Sequence, residues 1–93
     1  LAVSELTHVK ELGLSGVEIR TNIEGQNLGD MKFRPFFREA ARLDLAVLVH
    51  ANKPTFAERL SDAPDALGAD AAIGFGIECG LAGASLIWGG VLA

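Results

Sequence analysis

Residues 45–50, Leu45-Ala46-Val47-Leu48-Val49-His50, decide how the rest of the chain is read. Five apolar residues in unbroken succession, two of them β-branched, are the pattern of a strand covered on both faces, as in a parallel sheet. A parallel strand needs a partner reached through a crossover of a dozen residues or more, and the upstream sequence supplies both. Phe33, Phe36, Phe37, Ala40 and Ala41 recur at i, i+3, i+4, i+7 and i+8, the template of an amphipathic helix. Pro35 suits its first turn, where the missing N–H costs nothing. Before it, Gly16-Val17-Glu18-Ile19-Arg20-Thr21 reads as a short strand, and residues 22–30 as a polar, glycine-bearing loop.

Working outward, residues 3–12 place Val3, Leu6, Val9 and Leu12 in one helical sector, with Gly13 as the C-terminal stop. Downstream, residues 51–70 are looser, interrupted by Pro54 and Pro64, with a helical turn expected around Thr55 to Leu60. Residues 71–93 are almost wholly apolar, Glu78 being their only charge, and predict a buried helix from about Phe75 to Ile87. The order is α-β-α-β-α, and the two strands lie about thirty residues apart, the span of one βαβ unit. Such alternation implies an α/β fold with helices packed outside a parallel sheet. Two strands leave edges and a face uncovered. The chain is therefore expected to be one segment, residues 1–93, internal to a single larger (β/α) domain, a reading to which the non-methionine start at Leu1 and the stop after Gly89-Gly90 contribute.

Of the 93 residues, 49% are hydrophobic and 22% charged, a globular composition. The net charge of −4 argues against nucleic acid as a general partner. A single cysteine, Cys79, excludes an intrachain disulfide and points to a reducing compartment, the cytoplasm. No secretory signal is expected ahead of the first helix.

His50 is the residue best placed for chemistry, because it ends a buried strand where active-site residues of parallel α/β folds collect. A neutral imidazole there suits a metal ion; a histidine hydrogen-bonded at a strand terminus fits the position equally. A catalytic zinc takes about three protein ligands, and the other histidine, His8, lies on the flank of the first helix as an ordinary surface residue. In the loop, Asn22, Glu24, Gln26, Asn27 and Asp30 stand on the same rim as His50 and can contact a polar substrate, although solvation alone explains such a loop. Gly25 and Gly29 lack the Lys-Ser/Thr of a phosphate loop. Arg34, Arg38 and Arg42 form a stripe opposite the phenylalanines, read as a solvated face partly neutralised by Glu39 and Asp44.

Residues 71–93 are also long enough to span a bilayer, and Gly76/Gly80 form a small-xxx-small pair. Glu78 would be costly in lipid and no basic residues flank the segment, so packing against a barrel or a partner subunit is preferred and no membrane is expected. Cys79 and Trp88 then read as packing residues, and an exposed apolar face would favour a homodimer.

In this order the segments resemble the middle of the aminocarboxymuconate-semialdehyde decarboxylase family, a branch of the amidohydrolase superfamily. The stretches that carry the resemblance are residues 13–19 with Asn22, Arg34-Pro35-Phe36-Phe37 through Leu43 with Val47-Leu48-Val49-His50, and residues 77–82 with 86–92. It implies a distorted TIM barrel, of which this chain is a partial (β/α)8 segment, and a divalent metal, usually zinc. The family's histidine ending the fifth strand is a metal ligand, and that role falls on His50; the usual next proline is Ala51 here. The resemblance implies a non-oxidative decarboxylase or a related hydrolase acting on a small carboxylate substrate. The early HxH pair, the acid/base histidine and the late aspartate ligand have no counterpart in these 93 residues. No catalytic residue is therefore assigned, substrate-binding residues are unknown, and the chain alone is expected to be inactive. The contrasting expectation is a non-catalytic binding or assembly module that docks through its apolar C-terminal helix.

Overall fold

A computed structural model describes residues 2–93; Leu1 lies outside the described residues. The fold is mixed α/β. Helix α1 (Ala2–Glu11) leads to strand β1 (Gly16–Arg20), a small hairpin of β2 (Asn22–Ile23) and β3 (Gln26–Asn27), helix α2 (Arg34–Arg42) and strand β4 (Ala46–His50). A short helix α3 (Ala66–Ala69) and a π-helical turn, Asp70–Gly74, then run into helix α4 (Phe75–Trp88).

Strands β1 and β4 pair in parallel from Gly16↔Ala46 to Arg20↔His50, with α2 as the crossover. Gly16 is required at the start of that ladder, because a Cβ there would lie 2.6 Å from the Ala46 carbonyl oxygen. Leu6, Ala40 and Leu45 are the buried core, with Val9, Val17, Phe36, Leu43 and Val47 packed against them. Helices α1 and α2 thus cover one face of the strand pair. Val3 and Leu12, expected in the inward sector of α1, lie outside this cluster and are exposed.

The strand reading needs one correction. Residues 45–49 were expected to be covered on both faces, yet β4 alternates, with Ala46, Leu48 and His50 outward. Leu48 is 60% exposed. Residues paired in register on parallel strands share a face, so Glu18 and Arg20 stand on this open face beside Leu48 and His50. An apolar residue on the face opposite the helices is what the interior of a closed sheet requires. The arrangement is compatible with a segment of a parallel barrel.

The loop at 22–30 is more ordered than its composition implied. Glu24 and Gly25 both take left-handed backbone angles, φ 52° and 78°, and reverse the chain between the antiparallel β2 and β3 as a two-residue turn does. The Asn22 side chain accepts from the Gly25 N–H at 2.9 Å. Asp30 accepts from the Lys32 N–H at 3.0 Å and caps a 3-10 turn at Met31–Phe33, so that α2 begins at Arg34.

The largest departure from the sequence reading concerns α4. Its buried residues are Glu78, Ala82 and Ser85, at i, i+4 and i+7, so the small and polar stripe faces inward. Ile77, Leu81, Ile87 and Trp88 face outward, Trp88 being 66% exposed, and Cys79 is exposed as well. Cys79 and Trp88 are therefore not packing residues among the described elements. The reason is close approach. A Cβ on Gly29 would fall 1.9 Å from the Ser85 carbonyl oxygen, and one on Gly89 would fall 2.4 Å from that of Gly29. Only backbones stripped of side chains meet at such range.

Candidate functional site

The candidate site is the rim where β1 and β4 end. His50 is exposed at the last position of β4, and its Nδ1 lies 2.7 Å from the Ala51 carbonyl oxygen. A carbonyl only accepts, so Nδ1 carries the proton in that bond. In the neutral ring Nε2 is then the lone-pair nitrogen, the arrangement that orients metal-binding imidazoles. His50 thus fits one ligand position. Among the described residues no group of three His, Cys, Asp or Glu side chains converges to hold a metal ion. His8 is exposed on α1.

Arg20 is the register partner of His50 and is exposed on the same open face. Beside it a rim cavity of about 330 Å³ is lined by Arg20, Asn22, Ile23, Glu24 and Asn52. The pairing brings a guanidinium and an imidazole to adjacent strand ends, about 5 Å apart at the backbone. Sequence reading passed over Arg20, because thirty residues of chain separate it from His50.

The loops behind this rim are held by Glu78, a side chain only 2% exposed. Its Oε2 accepts from the Thr21 hydroxyl at 3.0 Å and the Asn22 amide at 3.1 Å. Its Oε1 accepts from the Thr55 N–H at 3.0 Å and the Thr55 hydroxyl at 2.8 Å. Burial pushes the carboxyl up. The bonds from the Thr55 N–H and hydroxyl, the Thr21 hydroxyl and the Asn22 amide outweigh it and hold the group below the usual carboxylate range. Next to Thr55, Pro54 packs so closely on Gly74 that a Cβ there would lie 2.4 Å from the proline ring. Sequence reading noticed Glu78 only as an isolated charge. That isolation was the available signal, since a buried charge demands partners.

The polar residues expected to meet substrate on the β1 loop have other duties in part. Asn22 is engaged at both ends of its amide, by Glu78 and by the Gly25 N–H. Asp30 is a cap. Gln26 and Asn27 are exposed hairpin residues. The arginine stripe also divides. Arg42 pairs with Glu39 through contacts of 2.6 and 2.9 Å on the surface. Arg34 instead turns to the C-terminus of α4, where its guanidinium donates to the Gly89 carbonyl, a favourable place for a cation. The stripe is therefore not one solvated face, and Asp44 is a left-handed turn residue (φ 53°) after α2.

A parallel βαβ unit of this kind is compatible with the α/β folds that gather active-site residues at the C-terminal ends of their strands. No family model matches the chain. Over 42 residues, 45% of its length, it is 43% identical to a 2-amino-3-carboxymuconate-6-semialdehyde decarboxylase of Dictyostelium discoideum. The match takes in 12% of that protein's length. The similarity is to a decarboxylase, at the level of a fragment.

Proposed function

We propose that this chain is part of a metal-dependent decarboxylase of the amidohydrolase type, acting on a small carboxylate substrate, in which His50 is a metal ligand. The observation that carries the reading is the placement of His50. It ends a parallel strand on the open face, with Nδ1 satisfied by Ala51, in a chain similar over 42 residues to a decarboxylase. A bound divalent ion, zinc by preference for imidazole, supplies Lewis-acid polarisation. The chain's own residues have three tasks. His50 would hold the ion through Nε2. Arg20, the register partner of His50, presents a cation to a substrate carboxylate, a pairing that guanidinium geometry favours. The parallel ladder of β1 and β4 keeps these two at fixed separation. The further ligands and the proton donor belong to sequence outside these residues, so the segment by itself is inactive.

The test is metal analysis of the whole protein and of a His50→Ala variant. The parent should hold stoichiometric zinc and the variant should lose it, with activity. Unchanged metal content in a folded variant would remove His50 from the site.

A second reading is favoured by the outward apolar face of α4. The continuous helix Asp70–Trp88 is long and apolar enough to cross a membrane by length and composition. Its inward face, however, is bonded through Glu78 to three polar residues of the rim loops, partners a lipid-spanning helix would lack. The same outward face suits an assembly module, in which a partner subunit covers Ile77, Leu81 and Trp88. Detergent-free sedimentation of the chain distinguishes these, since an assembly face predicts a defined oligomer without lipid.

A further inference from the structure

We propose that Glu78 is the positioning residue of the rim, a two-sided clamp that ties the loop following Arg20 to the segment following His50. The clamp rests on geometry; the meaning of the rim rests on the function proposed above. Each carboxylate oxygen serves a different loop. Oε2 takes two donors from the residues that follow Arg20, and Oε1 takes two from Thr55, on the segment that leaves His50. Glu78 stands in the first turn of α4, and the same helix accepts from the Gly29 N–H, after β3, through the Ser85 hydroxyl at 3.2 Å. The helix therefore gives the carboxylate a fixed base, and neither loop can shift without losing two bonds to a charged acceptor.

The chemistry demands a carboxylate. All four partners are donors, and an ionised carboxylate is the side chain with two oxygens that only accept. Glutamine has the same shape but turns an NH₂ group towards one pair of donors, releasing one loop while holding the other. Aspartate is shorter by one methylene and does not bridge both. A residue that merely filled space would accept glutamine without consequence.

The experiment compares Glu78→Gln, Thr55→Val and the double variant in the whole protein. Amide hydrogen exchange reads the clamp directly. Glu78→Gln should speed exchange of the Thr55 or the Thr21–Asn22 amides by about ten-fold or more, the effect expected for loss of hydrogen bonds to a charged group, and leave α2 unchanged. Zinc affinity, measured by chelator competition on the folded apoprotein, reads the consequence. It should weaken by up to about ten-fold in Glu78→Gln, because the segment held at Thr55 carries the Ala51 carbonyl that orients the His50 ring. Thr55→Val should move it in the same direction, and the double variant should be little worse than Glu78→Gln alone. A Glu78→Gln protein that loses thermal stability but keeps both rim exchange rates and zinc affinity has lost only a packing residue, and the proposal falls. Where His50→Ala itself leaves zinc content unchanged, the metal reading has failed instead. The exchange rates then decide the clamp alone, unchanged rates refuting it and accelerated rates upholding it.

Discussion

Substituting Gly29 by alanine tests the contact on which the placement of α4 depends. A Cβ at Gly29 would stand 1.9 Å from the Ser85 carbonyl oxygen and 2.6 Å from its carbon. Carbon–oxygen contacts sit at about 3.3 Å or more, so loop and helix would have to part by about 1.4 Å. Both partners are backbone, and no rotamer change relieves them. Parting also loses the bond from the Gly29 N–H to the Ser85 hydroxyl, 3.2 Å and buried, worth about 0.5–1.5 kcal/mol. Overpacking costs about 1–3 kcal/mol, and the stiffer unfolded chain returns about 0.4–1 kcal/mol. The net destabilisation is about 1–4 kcal/mol. At about 4–8 °C per kcal/mol for a domain of this size, Tm falls by about 5–30 °C. Thermal and urea unfolding followed by circular dichroism measure it. The control lies on the same helix, since Gly76 and Gly80 have nothing within 4 Å of a Cβ. Alanine at either should stabilise by about 0.5–1 kcal/mol. A Gly29→Ala protein within about 0.5 kcal/mol of the parent would mean that the loop and α4 do not meet at Ser85.

Three further outcomes follow from the same geometry. The Glu78 carboxyl lies below its ordinary range when folded, so its contribution to stability is full above the unfolded-state value and disappears as pH falls through the folded one. Urea midpoints measured from neutral to acid pH should decline more steeply for the parent than for Glu78→Gln, and parallel curves would show that the group contributes nothing. Arg20→Gln in the whole protein should raise KM for a carboxylate substrate by about ten-fold or more, as expected when a charge-assisted pair is lost, with zinc content unchanged; an unaltered KM would remove Arg20 from substrate binding. Breaking the surface pair with Glu39→Gln should leave the urea midpoint almost unmoved, because both partners are solvated, and a large shift would contradict its surface setting.

The local elements were written in local sequence. Phe36, Ala40 and Leu43 have the helical spacing that puts them against the sheet, Val47 and Val49 have strand character, and His50 closes the run that made it a candidate. These follow from periods of 3.6 and 2, which a short window reveals. The hairpin at Glu24-Gly25 escaped because its signal is one left-handed pair in a polar loop rather than an alternation. The face of α4 escaped for a deeper reason. Hydrophobicity along residues 71–93 predicts burial of Ile77, Leu81 and Trp88, yet the chain buries Glu78, Ala82 and Ser85. That choice is made by Thr21, Asn22, Gly29 and Thr55, which lie 23 to 57 residues away. Four donors around one carboxylate, and a backbone approach open only to glycine, exist once these segments are brought together. Sequence by itself determined the long helices, the two strands of the parallel pair and which strand ends in histidine. Tertiary structure alone decided that Arg20 stands beside His50, and that the lone charge of an apolar helix ties their two loops together.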